Sequence, residues 1–337
     1  MNNIILSRTD SLGDVVLTLP LAGVLRKHFS DCRIIFLGKT YTRPLIESCE
    51  YIDQFVDWDE VSGISSPEAR VEAFRVLNAD IIVHVFPVKE ICCLSKKAGI
   101  PVRISTSHRW FSWLYCNKRI HFSRRKSNLH EAQLNLKLLE PLGITEEITT
   151  SAIPEFYGLT RIGEQFPPSI AKLILPDRFN LILHPKSKGS AREWGLDNFS
   201  RLITLLQPEK FRIFITGTKE EGAKMNDFLT RNKDRIIDLT GKMKLSEFLV
   251  FIRRCDGLVA ASTGPLHIAA ALGRRAVGLY APMRPIFPKR WAPLGPDADW
   301  LVIDKPCEKC RHSNDCECIR QISPEEVAEK LMKERGK

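Results

Sequence analysis

The sequence lacks any run of about 18 consecutive apolar residues, the length that a helix needs to cross a bilayer, so no membrane span is expected. Its first eight residues have neither a basic start nor a long apolar stretch, and we therefore expect no secretory signal. Ten cysteines among 337 residues are too few for a disulfide scaffold. With 44% hydrophobic and 27% charged residues, the composition is typical of a soluble globular protein, which we expect in the cytoplasm.

Common nucleotide and metal motifs are also missing. No GxGxxG follows the first predicted strand, where Gly13 is the single glycine, so a dinucleotide-binding first domain is not expected. Two aspartate pairs, Asp57 with Asp59 and Asp297 with Asp299, have the D-x-D spacing of metal-dependent sugar transferases. Their positions at a strand end and in a proline-rich turn favour capping or solvated carboxylates, and we predict no metal site there.

Acidic residues are absent from one long segment. The chain has 50 Lys and Arg against 40 Asp and Glu, but residues 91–130 contain nine basic side chains and no acidic one. The excess of positive charge therefore lies in this segment and indicates an anionic partner. Nucleic acid is one alternative, although the segment has no recognisable nucleic-acid-binding motif, and we predict no nucleic-acid partner. Five apolar side chains interrupt the charges, and they suit either a lipid headgroup interface or the protein core: Trp110, Phe111, Trp113, Leu114 and Tyr115.

Short β-branched runs alternate with amphipathic stretches, which predicts βαβ units and parallel sheets of the α/β class. Predicted strands cover residues 3–6, 33–37, 54–56, 80–85, 180–183, 211–216, 236–239, 257–260 and 276–279. Predicted helices cover residues 12–27, 42–48, 67–77, 88–97, 129–139, 196–206, 220–229, 245–255, 265–272 and 324–334.

The alternation pauses at residues 144–177, a polar stretch with four prolines that we interpret as a linker. We predict two doubly wound, Rossmann-like domains at residues 1–165 and 178–320, followed by a C-terminal helix within 321–337. Two such domains would face each other across a cleft. Ligands of such sheets bind outside the carboxyl ends of the strands, so loops that follow strands are the candidate sites.

The first candidate is the loop and helix start after the first strand, with the sequence R-T-D-S-L-G-D-V from Arg8 to Val15. Asp14 falls in the first helical turn, where the positive end of the helix favours a carboxylate that faces the cleft. The alternative is that Asp10 and Asp14 are only N-caps, and the spacing alone does not decide between the two.

The second candidate is S-T-G-P-L-H from Ser262 to His267, which follows a predicted buried strand. Pro265 marks a helix start, and Ser262, Thr263 and Gly264 offer hydroxyls and free backbone N–H groups there. Such a helix start is suited to a phosphate, with His267 in reach of the same anion. The alternative is a well-capped buried helix with a core histidine.

The third candidate is the loop H-P-K-S-K-G-S-A-R-E-W at residues 184–194. It contains three basic side chains and two hydroxyls directly after the first strand of the second half, which suits a diphosphate. The alternative is a solvated surface loop.

These segments, in this order, resemble the ADP-heptose:lipopolysaccharide heptosyltransferase family, which is glycosyltransferase family 9. The resemblance also includes H-E-A-Q-L-N-L at residues 130–136, L-T-G-K-M-K-L at 239–245 and the block S-T-G-P-L-H-I-A-A-A-L-G at 262–273. It implies a GT-B fold with the acceptor in the N-terminal domain and the nucleotide-sugar in the C-terminal one. It further implies an inverting, metal-independent transfer of heptose from ADP-heptose to the lipopolysaccharide inner core, without a cofactor.

The resemblance assigns the catalytic base to Asp14, which would take the proton of the acceptor hydroxyl. The donor contacts that it implies, together with the candidates above, are Ser187, Lys188, Arg192, Glu221, Met243, Ser262, Thr263, Gly264 and His267. From the basic segment we predict acceptor contacts at Arg119, Arg124 and Arg125. The acceptor would place the enzyme peripherally on the cytoplasmic face of the inner membrane.

Three alternatives stay open. Many family members have Asp where this chain has Ser262, so another nucleotide-sugar for a different surface glycan is one, and a nucleotide-sugar epimerase on the same scaffold is another. Four C-terminal cysteines have a spacing that allows a zinc site, although free structural thiols are the favoured interpretation: Cys307, Cys310, Cys316 and Cys318.

Overall fold

The computed structural model describes residues 2–124, 127–164, 166–284, 286–304 and 316–333. The chain divides into two compact units, Met1–Arg161 and Ile162–Lys337. Each unit contains one six-stranded sheet in which all strands are parallel, with helices in the crossovers.

The first unit has the strand order β3-β2-β1-β4-β5-β6. Its strands are β1 Asn3–Ser7, β2 Arg33–Gly38, β3 Gln54–Asp57, β4 Ile81–His84, β5 Val102–Thr106 and β6 Lys118–Ile120. Its α-helices are α1 Leu12–Val16, α2 Leu19–His28, α3 Arg43–Glu47, α4 Trp58–Gly63, α5 Pro67–Arg75, α6 Lys89–Lys97, α7 Trp110–Tyr115 and α8 Glu131–Leu136. Short 3₁₀ turns cover Thr40–Thr42, Lys137–Leu142 and Ile153–Phe156.

The second unit has the strand order β12-β11-β10-β7-β8-β9. Its strands are β7 Phe179–His184, β8 Phe211–Ile215, β9 Ile236–Asp238, β10 Gly257–Ala261, β11 Arg275–Tyr280 and β12 Ala298–Val302. Its helices are α9 Pro168–Ala171, α10 Leu196–Leu205, α11 Lys219–Ala223, α12 Asn226–Arg231, α13 Leu245–Arg254, α14 Gly264–Ala271, α15 Pro288–Trp291, α16 Glu317–Arg320 and α17 Pro324–Met332.

All nine predicted strands are present, whereas β5, β6 and β12 escape the sequence patterns. The reason is visible in β6, a three-residue edge strand in which Lys118 and Arg119 are exposed. A strand that is solvated at a sheet edge needs no apolar run. The predicted single helix at residues 12–27 is wrong, because the chain turns between α1 and α2, where the Thr18 hydroxyl donates to the carbonyl of Asp14 at 2.8 Å.

The central strands of both sheets are largely apolar, because helices cover both faces. Ile4, Ile5 and Leu6 of β1 are fully buried, as are Leu258, Val259 and Ala260 of β10. The C-terminal helix α17 is part of the second core through Val327 and Leu331. Nearby, the buried indole of Trp194 donates to the carbonyl of Ile322 at 2.9 Å and ties the loop after β7 to this end of the chain.

Candidate functional site

In each sheet the direction of strand succession reverses once, between β1 and β4 in the first unit and between β7 and β10 in the second. The carboxyl ends of strands at such a reversal are where doubly wound sheets bind ligands. The first predicted motif follows β1, the third follows β7 and the second follows β10. The three motifs therefore occupy the reversal points of their own sheets.

Arg8 organises the site in the first unit. Its side chain is only 2% exposed, and each of its guanidinium nitrogens faces a different carboxylate. Nε donates to Asp10 at 2.6 Å, one terminal nitrogen donates to Asp14, and the other lies 3.8 Å from Glu131. A planar guanidinium with several donors fits this arrangement, and a single ammonium does not.

Asp14 is held on both of its carboxylate oxygens. One oxygen accepts from Arg8 and the other from the hydroxyl of Ser11, while the side chain keeps 18% of its surface exposed. The N-cap of α1 is Ser11, and it makes no side-chain capping bond. The interpretation of Asp10 and Asp14 as N-caps is therefore wrong, and Asp14 is a fixed carboxylate that solvent can reach.

The surroundings of Asp10 favour the protonated form of its carboxyl group. Burial raises the pKa of Asp10, the Arg8 guanidinium opposes this change, and the nearby Asp14 carboxylate adds to it. The Tyr41 hydroxyl donates to the backbone carbonyl of Asp10. Burial raises the pKa of Tyr41, and the nearby carboxylates of Asp10 and Asp14 raise it further.

A second arginine completes this group, which we call the charged cluster: Arg8, Asp10, Asp14, Arg124 and Glu131. Glu131 is 1% exposed and forms an ion pair with Arg124. Arg124 also donates to the carbonyl of Val85 at 2.9 Å and to the side-chain oxygen of Asn135 at 3.1 Å. With three carboxylates and two guanidiniums, the charged cluster has an excess of one negative charge if all five groups are ionised.

The three predicted acceptor residues do not share one environment. Arg124 belongs to the charged cluster, whereas Arg119 is exposed on β6, with its guanidinium 4.5 Å from the ring centre of Trp113. Arg125 lies outside the described residues. The contacts of Arg8 and Glu131 escaped the sequence reasoning, although both residues lie in segments that carry the family resemblance.

In the second unit, α14 begins directly after β10 with an unsatisfied polar group. Thr263 is the N-cap, but its side chain makes no capping bond. Among the described residues no hydrogen-bond partner reaches its buried hydroxyl oxygen. Gly264 and Pro265 open the helix, and the buried His267 follows one turn later. The free N–H groups and this hydroxyl form a place for an anion.

Ser262, directly before this N-cap, is half-buried and hydrogen-bonds to the hydroxyl of Tyr280. Burial raises the pKa of Tyr280, whose hydroxyl also donates to the carbonyl of Trp291. Ser262 is thus joined to the end of β11.

The loop after β7 is folded by its own polar groups. The Ser187 hydroxyl donates to the carbonyl of Ala191 at 2.9 Å, and the Lys186 ammonium pairs with Glu193 at 2.7 Å. Lys188 has a left-handed backbone, with a φ of 48°, and its side chain is exposed. Arg192, at the other end of the loop, is half-buried. Ser187 therefore shapes the loop, and Lys188 and Arg192 supply cations on either side of it.

Glu221 lies in the connection after β8, and Met243 lies in the connection after β9. Glu221 forms a capping box with Thr218: its carboxylate accepts from the Thr218 N–H at 2.8 Å, and its own N–H donates to the Thr218 hydroxyl at 3.2 Å. Met243 is half-buried in the loop before α13. The two loops are joined where the N–H of Gly241 donates to the carbonyl of Gly217 at 2.9 Å.

His184, at the end of β7, begins the third motif but was not predicted to contact the donor. Its Nδ1 lies 2.9 Å from the hydroxyl of Thr216, and its ring stacks on Phe248 with 6.3 Å between ring centres. Burial lowers the pKa of His184 to about 4, with Glu221 acting in the opposite direction. His184 is therefore a neutral imidazole at physiological pH.

In the described part of the chain, one group of side chains could hold a soft metal ion: His84, Cys92 and Cys116. All three are buried, and a ring nitrogen of the histidine and the two cysteine Sγ atoms lie within 4.8 Å of one another. Of the C-terminal cysteines, Cys316 and Cys318 are buried, and Cys307 and Cys310 lie outside the described residues.

The two D-x-D pairs serve the fold, as expected. Asp57 is the N-cap of α4 and accepts from Asp59 N–H at 3.0 Å. Asp297 pairs with Arg275 at 3.2 Å, and Asp299 pairs with Lys330 at 2.6 Å. Helices long and apolar enough to span a bilayer are not found in the part of the chain that the structure describes.

Comparisons of the sequence and of the structure with known proteins both find glycosyltransferases of one family. The family model of glycosyltransferase family 9 (heptosyltransferase) matches residues 92–319, more than half of the chain. Lipopolysaccharide heptosyltransferase 3 of Escherichia coli strain K12 is 22% identical over 298 residues, which cover 83% of this chain and 82% of that protein.

Two solved structures share the fold over nearly the full length. The glycosyl transferase family 9 protein of Veillonella parvula has a TM-score of 0.82 and 21% identity, covering 98% of this chain and 96% of that one. The E. coli ADP-heptose lipopolysaccharide heptosyltransferase II has a TM-score of 0.74 and 16% identity, covering 98% and 97%. The predicted α/β class and GT-B fold are confirmed. The chain belongs to glycosyltransferase family 9 and is a glycosyltransferase.

Proposed function

We propose that this enzyme transfers a heptose, with inversion and without a metal ion, from ADP-heptose to the inner core of lipopolysaccharide. The heptosyltransferase description of the matching family and the names of its relatives support the sugar and the acceptor. The observation that carries the proposal is the Asp14 carboxylate, fixed on both oxygens at the reversal point of the first sheet and still exposed.

Asp14 is the proposed general base. As the acceptor hydroxyl attacks the anomeric carbon of the donor, its proton passes to Asp14, and the bond from that carbon to the diphosphate oxygen breaks. ADP leaves, and the new glycosidic bond has the opposite configuration. Arg8 is a positioning residue that aims the carboxylate. In the same proposal the acceptor is contacted by Arg119, Arg124 and Arg125, whose charge matches the phosphates and carboxylates of the core.

The leaving diphosphate requires positive charge and hydrogen-bond donors. We assign these to the N-terminus of α14, where the Thr263 hydroxyl has no partner among the described residues and the Gly264 N–H belongs to the first helical turn, and to the cations Lys188 and Arg192. In the proposal His267 contacts the same anion, Met243 contacts the nucleobase, and the donor is completed by Ser187, Glu221 and Ser262. A protein-bound metal is not required, because these groups carry the charge.

The acceptor is a membrane glycolipid, so we place the enzyme on the cytoplasmic face of the inner membrane as a peripheral protein. The basic segment at residues 91–130 supports this location because anionic headgroups attract it.

The test is Asp14→Asn, which keeps the size of the side chain and its hydrogen bond to Arg8 but removes the base. We expect transfer from ADP-heptose to core acceptor to fall by about 100-fold or more. ADP should still raise the thermal midpoint as in the wild type, because it binds the other unit. The matched control is Asp31→Asn, an exposed aspartate of the same unit, which should keep full activity. Near-wild-type transfer by Asp14→Asn contradicts the assignment of the base.

A further inference from the structure

The short helix α7 has apolar side chains on its outer side as well as its inner side. Phe111 is buried and packs with Cys92 and Cys116. Trp110 and Trp113, by contrast, are 63% and 61% exposed, and Leu114 is 55% exposed. Their i, i+3, i+4 spacing places them on one face of the helix. We call these three side chains the α7 surface.

The α7 surface is rimmed by three cations, two on α6 and one on β6. The Lys89 ammonium lies 5.1 Å from the ring centre of Trp110, and the Arg119 guanidinium lies 4.5 Å from that of Trp113. Lys96 donates to the carbonyl of Leu114 at 2.9 Å. Residues 91–130 contain no acidic side chain. Of the two acidic residues that flank this segment, Glu90 pairs with Arg70 at 2.7 Å and Glu131 pairs with Arg124.

The exposed indoles are fixed rather than free to fold back. The indole N–H of Trp113 donates to the carbonyl of Ser107 at 3.0 Å, and the rings of Trp110 and Phe111 meet edge to face at 5.9 Å. Side chains held outward in this way make a contact surface without losing much conformational freedom when a partner binds.

We propose that the α7 surface docks on an anionic lipid bilayer, with its tryptophans at headgroup depth and the surrounding two lysines and one arginine on lipid phosphates. Tryptophan prefers this interface because its ring is both apolar and polar. An exposed apolar patch rimmed by positive charges matches an anionic membrane, and each cation near such a surface strengthens binding about fivefold. A second copy of the chain is a poorer partner, because a two-fold contact would bring Lys89, Lys96 and Arg119 against themselves.

This inference rests on the proposed function in one respect, since the acceptor lies in that bilayer. It specifies the face by which the enzyme meets the membrane. The test therefore uses vesicles of phosphatidylcholine with and without phosphatidylglycerol and no glycolipid acceptor, so that docking and transfer are measured separately.

The full-length protein is sedimented with these vesicles as wild type, as Trp110→Ala/Trp113→Ala, and as Trp300→Ala. Trp300 is 41% exposed on β12 of the other unit and is the matched control. We expect binding that needs phosphatidylglycerol and weakens with salt, a loss of about tenfold or more in the double variant, and little change in the control. Circular dichroism and the thermal midpoint check that the double variant is folded.

A second measurement uses tryptophan fluorescence and does not need the double variant. Brominated lipid should quench the tryptophan fluorescence of the wild type and of Trp300→Ala to similar extents, because both proteins keep the exposed Trp110 and Trp113. The proposal is wrong if the folded double variant binds as the wild type does, if quenching is absent, or if the wild type is a dimer that the double variant disrupts. Vesicle binding without any wild-type transfer would refute the proposed function and leave the docking surface standing.

Discussion

Arg8→Lys tests the geometry of the charged cluster most directly. The substitution keeps the positive charge and most of the side-chain length, but it replaces three spread nitrogens by one. In the wild type those nitrogens face Asp10, Asp14 and Glu131 separately, and the side chain is 2% exposed. A lysine ammonium can approach one or two of these carboxylates and leaves at least one without its arginine contact.

The expected loss follows from burial. Breaking a buried ion pair destabilises a protein by about 3–5 kcal/mol. Because lysine keeps the positive charge, we expect Arg8→Lys to lower the free energy of unfolding by about 3 kcal/mol, the lower end of this range. A midpoint shift of about 2–4 °C per kcal/mol for a unit of this size predicts a fall of about 6–12 °C. Because Asp14 also loses its partner on one oxygen, we expect kcat to fall by about 100-fold with little change in the KM for the donor.

The measurements are urea unfolding, scanning calorimetry and steady-state transfer kinetics. Arg70→Lys is the matched control: Arg70 is 29% exposed and pairs with Glu90 at 2.7 Å, so its replacement should alter stability by less than about 1 kcal/mol. If Arg8→Lys unfolds and turns over as the wild type does, the cluster does not position Asp14 and the reasoning fails.

Two further predictions concern stability. Burial lowers the pKa of His84 to about 3, so this residue gains a proton near pH 6.5 only in the unfolded chain, and His84 alone should lower the free energy of unfolding by about 2 kcal/mol from pH 7 to 5. Urea titrations of His84→Asn should show a flatter pH dependence, and an unchanged slope would contradict this. Gly222→Ala should lower the midpoint and weaken ADP binding, because its Cβ would lie 2.3 Å from the Thr240 hydroxyl, whereas Gly63→Ala, with open space, should be neutral or stabilising. Equal midpoints for the two would refute the steric argument.

The repeated alternation of apolar and amphipathic stretches was enough to predict both parallel sheets and the positions of the three motifs after β1, β7 and β10. Local pattern could do this because a buried parallel strand must be apolar on both faces. Strands β5 and β6 do not obey that requirement, since Val102 and Arg103 are only partly buried and β6 is a solvated edge. No local signal distinguished them from the rest of the basic segment.

The aromatic residues of the basic segment show the same limit. The sequence left open whether they belong to a lipid interface or to the core, and the structure divides them: Phe111 is in the core, while Trp110, Trp113 and Leu114 are exposed. The spacing within a six-residue helix is compatible with both, because the surrounding fold decides which side of α7 faces protein.

By itself the sequence determined the fold class, the family and the position of Asp14 in the first helical turn after a central strand. Only the tertiary structure decided what holds that carboxylate. Arg8 and Glu131 are 123 positions apart in the sequence. Arg124, in the segment before α8, pairs with the carboxylate of Glu131 as well. Ion pairs of this kind form between side chains from distant parts of the sequence that the tertiary fold brings together. Their desolvation and orientation depend on burial, which no local spacing of charges specifies.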